Sequence, residues 1–312
     1  MIKNDKLNHF KKWAIASTAI TYFLIFVGGL VRVSGAGLGC PDWPKCFGRW
    51  IPPFNASQLP VDIDPSLFNF TLAWIEYINR LIGMATGLII AVTAVLAIKN
   101  FRKYPKILYS SIAAALLVAF QGWQGGRVVA SALEPYVITI HMLIAFIIAS
   151  LVLFVLLQVM LIQKPELKKS VAGLTKTILV LLYFVTVIQV IIGTQMRSGL
   201  EHLAENLPLL TEADWISRLG PVNQIHTVLG ILMIFLAVYV TFTGYKNQIN
   251  KSVYIKNTIL GMDILIGVQL LTGIGMVWIG IPPLLQVIHL WISSLIVGVL
   301  LMLYTALSQE IS

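Results

Sequence analysis

The sequence predicts an all-α polytopic membrane protein with eight transmembrane helices, arranged as two parallel-repeated four-helix bundles. Hydrophobic residues make up 58% of the 312-residue chain and charged residues only 11%, a balance that is outside the usual range of soluble domains. A bilayer is spanned by about 20 apolar residues in a helix. Eight such stretches follow one another, at residues 14–33, 74–98, 107–130, 137–162, 177–196, 221–245, 258–279 and 285–308.

An internal repeat divides the chain into two halves, residues 1–165 and 166–312. Each half contributes four spans, so the chain returns to the same side of the membrane and both halves have the same orientation. Duplication of this kind is typical of membrane proteins built from repeats. At one constant spacing, Gln121, Gly125, Pro135 and His141 recur as Gln269, Gly273, Pro283 and His289, and within one residue Asn79 corresponds to His226.

The positive residues are sorted by loop. Four segments, the amino-terminal tail and the loops at 99–106, 163–176 and 246–257, hold fifteen of the 22 Lys and Arg residues. By the positive-inside rule these segments are cytoplasmic. Both termini therefore lie on the cytoplasmic side of a cell membrane, and the loops at 34–73 and 197–220 lie on its outer side. The net charge of +9 is therefore explained by membrane topology and does not indicate a nucleic-acid partner.

Four polar residues occur early in spans that run from outside to inside. They form one pair in each half, Asn79 with His141 and His226 with His289. A single helical histidine is more often a hydrogen-bonded core residue than a ligand, but three repeat-matched histidines at one membrane depth favour a functional site. Zinc and copper sites usually gather three or four ligands. Two imidazoles from two helices instead suit the axial positions of a heme held between the helices of a bundle.

The second span carries a carboxylate that the other half lacks. Glu76, Asn79 and Arg80 share one helix face because they are spaced i, i+3 and i+4. A carboxylate at the edge of an apolar pocket can serve in proton transfer, and the same spacing also fits an interfacial salt bridge from Glu76 to Arg80. Like Arg80, Arg32 and Arg127 lie at outer helix ends, where arginines suit heme propionates or lipid phosphates.

The two cysteines, Cys40 and Cys46, lie in the first outer loop. Because the outer compartment is oxidising, a pair separated by five residues favours a short disulfide-closed loop over a metal site. A redox role stays open as well, since a small exposed loop is more readily reduced than a buried structural bridge.

These motifs together resemble one known family. The run at residues 28–46, GGLVRVSGAGLGCPDWPKC, is similar to the first outer loop of heme A synthases. The segment at residues 76–80, EYINR, resembles the motif in their second helix, and His141, His226 and His289 occur where that family has heme ligands. The resemblance covers all eight spans, and the loop rich in Gly, Cys and Trp is its most specific part.

The resemblance implies an enzyme that oxidises the C8 methyl group of heme O to a formyl group by successive hydroxylations, which gives heme A for cytochrome oxidase. It implies that His226 and His289 are the axial ligands of a heme b that supplies electrons. It also implies that the amino-terminal half binds the substrate heme O on the side of His141 and Asn79, with Glu76 as the catalytic carboxylate.

The resemblance further implies partners and a local disulfide. Cys40 and Cys46 are expected to be bonded near the substrate site. Heme O would come from the farnesyltransferase that makes it, and heme A would pass to cytochrome oxidase assembly, while the electron donor stays unknown. The apolar outer faces of the helices also suit a homo-oligomer.

Two positions depart from the commonest pattern of that family. Where many members have a histidine, this chain has Asn79, so His141 is expected to be the one strong ligand on the substrate side. The loop at 197–220 has no cysteines, unlike members with a second pair, so no disulfide is expected there.

Two other classes of protein compete with the enzyme. A non-catalytic diheme electron carrier, passing electrons from a quinol to an outer acceptor, would need only His226 and His289. Glu76, the difference between the two halves and the cysteine loop favour the enzyme over the carrier. A transporter would be expected to have inverted repeats, whereas the repeat in this chain is parallel.

Overall fold

The computed structural model describes residues 4–61, 63–164, 173–246 and 252–307. Within these ranges the protein is all-α, and eight of its helices are long and apolar enough to cross a membrane, which confirms the predicted fold class and number of spans. A short helix, α6, connects the fifth span to the sixth. The helices are α1 (Asn4–Val33), α2 (Phe70–Asn100), α3 (Pro105–Ala130), α4 (Pro135–Gln163), α5 (Gly173–Asn206), α6 (Glu212–Arg218), α7 (Pro221–Lys246), α8 (Val253–Ile279) and α9 (Pro283–Leu307).

Some sequence predictions fall on parts of the chain that lie outside the described residues. The predicted boundary between the two halves, at 165/166, is one of them. Much of the basic loops at 163–176 and 246–257 is another.

The three helices that carry the paired histidines each begin at a proline. Pro135, Pro221 and Pro283 occupy the first position of α4, α7 and α9, where a backbone N–H has no partner within the helix and its absence costs least. Before α4, the carboxylate of Glu134 also accepts a hydrogen bond from the N–H of Val137 at 3.2 Å. Each histidine follows its proline within two turns, so all three lie near the same end of the bundle.

The fifth span extends further than hydropathy predicts, because α5 continues ten residues beyond residue 196. Arg197 and Glu201 form an ion pair at 3.1 Å one turn apart on this extension. Arg197 also donates to the side chain of Gln286 in α9 at 2.8 Å, and Glu201 forms an ion pair with Arg32 of α1. These tertiary contacts stabilise polar helical turns that an apolar pattern cannot reveal. The helix therefore continues past the apolar span that the sequence predicts.

The packing of the helices makes α9 the centre of the bundle. In the first half, α1 packs against α2 and α4, and α3 packs against α2 and α4. In the second half, α5 packs against α7 and α9, and α8 packs against α9, while α7 and α8 touch only slightly. The halves meet where α9 contacts α1 and α4 and where α4 contacts α5. As a result α9, which carries His289, is the most buried of the eight spans.

The hairpins α3–α4 and α8–α9 close with the same backbone turn. Ala132 and Leu133 have positive φ in the first turn, and Gly280 and Ile281 have positive φ in the second. The N–H of the second residue of each pair donates to a carbonyl five residues earlier, at 3.1 Å in the first turn and 2.9 Å in the second. The backbone of these two hairpins is therefore alike, as a duplicated unit requires.

The segment at residues 34–69, the Cys loop, folds over one end of α2. The disulfide between Cys40 and Cys46 is formed, which confirms the predicted pairing. Gly39 lies so close to α2 that a Cβ atom at this position would overlap the carbonyl group of Leu72. Only a residue without a side chain lets the loop approach the helix this closely.

Replacing Gly39 by Ala is expected to lower the thermal unfolding midpoint in detergent, because the new methyl group pushes against the backbone of Leu72, a strain of about 1–3 kcal/mol. Gly83→Ala in α2 is the matched control, since a Cβ there meets nothing within 4 Å. Equal midpoints for the two variants would show that the loop does not depend on this close contact.

Candidate functional site

The structure brings the rings of His226 and His289 together in the second half. Their centroids lie 6.4 Å apart and their planes are inclined by 47°. The two side chains come from α7 and α9, both of which pack against α5. Within the described ranges, no group of three or more His, Cys, Asp or Glu side chains is arranged to hold a metal ion directly. The second half therefore offers a pair of imidazoles in a mainly apolar setting.

Each of the three histidines has a glycine of a neighbouring helix beside its ring. A Cβ atom in place of the glycine would lie in ordinary van der Waals contact with the Cε1 atom of the ring, so each ring packs directly beside the backbone of the neighbouring helix. That distance would be 3.6 Å for Gly125 and His141, 3.8 Å for Gly193 and His226, and 3.4 Å for Gly273 and His289.

A glutamine lies one helical turn before each of these glycines. Gln121 donates from Nε2 to the backbone carbonyl of His141 at 2.8 Å. Gln189 donates in the same way to the carbonyl of His226 at 2.9 Å. In the third case Gln269 donates at 2.9 Å to the hydroxyl of Ser293, which itself donates to the carbonyl of the third histidine.

Sequence reasoning found two copies of this pattern and missed the third. The spacing of Gln189 and Gly193 is the same as in the other two copies, and this spacing was the available signal. It was missed because α5 corresponds to α1 in the repeat, and the first half has Ile25 at the position of Gln189. The three glutamines fix the register of each histidine helix against its neighbour.

Two of the histidines have a partner for Nδ1, and the third has none. Nδ1 of His141 lies 2.7 Å from Oε1 of Gln124, and Nδ1 of His289 lies 2.9 Å from the hydroxyl of Thr272. Nδ1 of His226 is buried without a hydrogen-bond partner among the described residues. Sequence reasoning did not select Gln124 or Thr272, because the two residue types differ and neither belongs to the repeated motif.

The polar groups at the site fit a bound heme. Buried polar groups in proteins are nearly always hydrogen-bonded, so an exception requires an explanation. Nδ1 of His226 and Oδ1 of Asn79 are two of seven such exceptions within the described part of the chain, and the amide oxygen of Asn79 is the one that a bound heme could take up. A facing pair of imidazoles in apolar surroundings is the donor set that a heme iron takes from a helical bundle.

In the first half, Glu76 is buried under the Cys loop with only 4% of its surface exposed. Its Oε2 accepts a hydrogen bond from the backbone N–H of Cys40 at 2.7 Å. Its Oε1 accepts from Nε of Arg80 at 3.1 Å and forms an ion pair with the same guanidinium. The salt bridge that the spacing allowed is therefore present, and it holds the carboxylate in one orientation.

The remaining N–H groups of Arg80 are directed into the Cys loop. Nη1 donates to the carbonyls of Asp42 at 2.8 Å and Lys45 at 2.7 Å, and Nη2 donates to the carbonyl of Cys40 at 3.3 Å. The guanidinium thus ties α2 to the disulfide-closed loop. In this arrangement its hydrogen bonds go to Glu76 and to the loop backbone.

The other two arginines singled out in the sequence lie in different surroundings. Arg32, at the end of α1, forms an ion pair with Glu201 of α5, across the contact between the halves. Arg127 lies in the last turn of α3, where it is exposed. Arg197, which sequence reasoning did not select, shares the carboxylate of Glu201 with Arg32.

A small polar bridge links the two halves beside their histidines. The hydroxyl of Thr139, two residues before His141, lies 2.9 Å from the hydroxyl of Thr194 in α5. Gln195 also donates to the hydroxyl of Thr139 at 2.9 Å. Thr194 directly follows Gly193, the glycine beside the ring of the histidine in α7. The two sites therefore approach each other along α4 and α5.

The fold and the site define a helical membrane protein with eight spans, a buried carboxylate under a disulfide-closed loop in one half and a histidine pair in the other. The chain belongs to the COX15-CtaA family, described as cytochrome oxidase assembly protein, whose profile matches residues 11–301.

Three curated relatives with the name heme A synthase are similar to this chain. The protein from Shewanella oneidensis is 32% identical over 67% of this chain, and the alignment covers 63% of that relative. The protein from Wolbachia sp. subsp. Brugia malayi is 24% identical over 92% of this chain and 93% of its own length. The protein from Flavobacterium psychrophilum is 22% identical over 89% of this chain and 91% of its own length.

Replacing Arg80 by Gln is expected to destabilise the protein, because it leaves the buried carboxylate of Glu76 without its counter-charge, a loss of roughly 3 kcal/mol. The thermal unfolding midpoint should fall, and a protease should cut the Cys loop faster. Arg49→Gln is the matched control, since Arg49 is an exposed arginine of the same loop that donates to the carbonyl of Gln58. If Arg80→Gln behaves like this control, the pair does not hold the loop.

Proposed function

We propose that this protein is a heme A synthase, which oxidises the C8 methyl group of heme O to a formyl group by successive hydroxylations. The observation that carries the proposal is the chemical difference between two halves of similar architecture. The first half has a buried, hydrogen-bonded carboxylate at the position where the second half has none. The second half has a facing pair of imidazoles, which suits electron transfer. Membership of the family and the names of three relatives support the same reaction.

In the second half, His226 and His289 would hold heme b as its two axial ligands. The 6.4 Å between their ring centroids, with glycines beside both rings, supports this role. When bound, heme b supplies one-electron transfer to the substrate site. The contacts between α4 and α5 bring the two sites close to each other and support this route.

In the first half, the substrate heme O would lie against His141 and Asn79. His141 supplies the strong ligand, since an imidazole is a better donor to iron than an amide oxygen. The unpartnered Oδ1 of Asn79 supports a weak contact on the opposite side. Weak ligation there would leave one face of the substrate heme accessible to dioxygen or water.

Glu76 would take up and return the protons that the reaction moves. Conversion of the methyl group to a geminal diol takes two hydroxylations, each of which would consume one dioxygen, two electrons from the donor and two protons and release one water; loss of water from the diol then gives the aldehyde. These steps require a group that can hold a proton beside the reacting carbon. The N–H of Cys40 and the guanidinium of Arg80 hold the carboxylate in place and keep it inside an apolar enclosure. The Cys40–Cys46 disulfide fixes the loop that carries one of these donors.

The arginines would have separate tasks. Arg80 holds the Cys loop and the catalytic carboxylate, so the propionate groups are left to Arg32 and Arg127. Arg127 is exposed at the end of α3, on the same side as the Cys loop. Arg32 would exchange part of its ion pair with Glu201 for a propionate.

The end of the bundle that carries the Cys loop would face outward from the cell membrane. The basic loops at the opposite end support this orientation through the positive-inside rule, and both termini are then cytoplasmic. Heme O would arrive from the farnesyltransferase that makes it, and heme A would leave for cytochrome oxidase assembly. The reaction also needs an electron donor, and the protein is suited to act as a homo-oligomer.

The reaction is tested by chromatography of the hemes extracted from the protein, expressed in aerobic cells that supply heme O. The wild-type protein is expected to yield heme A or its hydroxylated intermediate, and Glu76→Gln is expected to yield neither while heme binding persists. Glu205→Gln, at an exposed carboxylate, is the matched control. Heme b alone from the wild-type protein, with heme O plentiful and unchanged, would favour the electron carrier.

The heme b ligands are tested by replacing His226 and His289 separately by Ala. Each variant is expected to lose the low-spin heme b spectrum, because a single imidazole leaves one axial position without its ligand. His202→Ala, at a histidine outside the paired set, should keep the spectrum of the wild-type protein. A low-spin heme b spectrum in both variants would refute the ligand assignment.

A further inference from the structure

We propose that Gln124 and Thr272 are positioning residues, which hold the Nδ1 proton of His141 and His289 and so leave Nε2 of each ring as the nitrogen that binds iron. The proposal rests on the heme sites of the proposed function. It adds an ordering of the ligands, in which His289 is the firmly held ligand of heme b and His226 is the readily displaced one.

The hydrogen bonds of Thr272 fix the direction of its contact with His289. Its hydroxyl oxygen lies 2.9 Å from Nδ1 of the ring, 2.9 Å from the carbonyl of Gln269 and 3.0 Å from the carbonyl of Val268. A hydroxyl has one proton, and both carbonyls can only accept. The short distances to both carbonyls favour donation of the Thr272 proton to its own helix, and its oxygen then accepts a proton from Nδ1. A neutral imidazole with a proton on Nδ1 has its lone pair on Nε2.

In the first half, Gln124 favours the same tautomer of the His141 ring, but through an amide oxygen instead of a hydroxyl. Its Nε2 donates to the carbonyl of Val137 at 2.9 Å, which turns Oε1 towards Nδ1 of His141 at 2.7 Å. The amide oxygen can only accept, so Nδ1 is the donor and Nε2 of the ring is left without a proton. The side chain of Gln124 is buried, with 4% of its surface exposed.

The two positions are equivalent in the repeat although the residue types differ. Gln124 directly precedes Gly125, and Thr272 directly precedes Gly273, the two glycines beside the respective rings. An acceptor for Nδ1 therefore occurs at the same point of both halves. The third glycine, Gly193, is preceded by Ile192, which has no side-chain acceptor.

The absence of such an acceptor matches the orphaned ring nitrogen of His226. Its Nδ1 has no partner among the described residues, in contrast to the other two rings. A histidine whose second nitrogen donates to an acceptor is fixed in orientation and is a more basic ligand, and loss of such a partner typically weakens metal binding 10–100-fold. The pair on heme b is therefore unequal, with His226 as the weaker member.

The test uses the heme b-loaded protein and compares Thr272→Val with Thr272→Ser. Valine has the shape of threonine without the hydroxyl, whereas serine keeps the hydroxyl. With valine, the reduction potential of heme b is expected to rise, because a less basic imidazole stabilises ferric iron less. The ferric low-spin electron paramagnetic resonance signal should shift. The apparent affinity for carbon monoxide, which displaces a histidine ligand, should rise only about twofold, because loss of its partner makes His289 as readily displaced as His226.

Controls separate positioning from a merely structural effect. Thr272→Ser should restore the potential, the resonance signal and the carbon monoxide affinity of the wild-type protein. Thr258→Val is the matched control, since Thr258 is a buried threonine of the same helix whose hydroxyl donates to the carbonyl of Tyr254. It should leave all three quantities unchanged. If Thr272→Val does not fold, Thr272→Ala against Thr272→Ser makes the same comparison.

The substrate side is tested through heme O binding. Gln124→Leu is expected to weaken heme O binding 10–100-fold, because Nδ1 of His141 loses its acceptor. Gln124→Glu keeps an acceptor oxygen at the same place and should retain binding close to that of the wild-type protein. Equal weakening in both variants would overturn the role of Gln124.

The outcomes distinguish this inference from the proposed function. If Thr272→Val keeps the wild-type potential, resonance signal and carbon monoxide affinity while His289→Ala removes heme b, the positioning role is overturned and the ligand assignment stands. If the wild-type protein makes no heme A but Thr272→Val still shifts heme b as expected, the proposed reaction fails and the positioning role stands.

Discussion

The constraint on which the structure depends is that polar groups inside apolar spans need partners within the protein. The backbone meets this constraint by forming helices throughout the spans. The side chains meet it by pairing across helices, as Gln121 and Gln189 do with the carbonyls of the histidine helices. Seven buried side-chain atoms of the described residues still lack a partner, and two of them, Nδ1 of His226 and Oδ1 of Asn79, lie at the proposed heme sites.

The two halves each contribute four spans, but the residues at their sites differ in chemistry. In the first half, a loop closed by a disulfide is tied to α2 through Arg80, and the same guanidinium holds Glu76. The carboxylate is thus fixed and enclosed, which suits the proposed proton transfer. In the second half, two imidazoles face each other without a charged neighbour of this kind, which suits the proposed electron transfer. The halves therefore differ in the chemistry of their sites, and also in packing, since α2 and α3 lie against each other whereas α7 and α8 touch only slightly.

The elements that depend on local sequence were predictable, and those that depend on contacts between helices were not. The eight spans follow from apolar length, and the hairpin turns at Leu133 and Ile281 follow the repeat. The helix α5 continues ten residues beyond its predicted apolar span, because the ion pairs of Glu201 stabilise polar turns that hydropathy assigns to a loop. Spacing on one helix predicted the salt bridge from Glu76 to Arg80, but not the loop carbonyls that share the guanidinium.

The number of spans, the duplicated histidines and the disulfide loop were predictable from the sequence alone, because each depends on composition or spacing along one segment. The groups that satisfy the histidines became apparent only once the helices were packed together. Gln124 and Thr272 occupy equivalent positions, 17 residues before their histidines, but they differ in residue type, so the repeat does not reveal that both contact a ring nitrogen. Their common role follows from the antiparallel packing of two hairpins, which places the same helix position against the same ring atom.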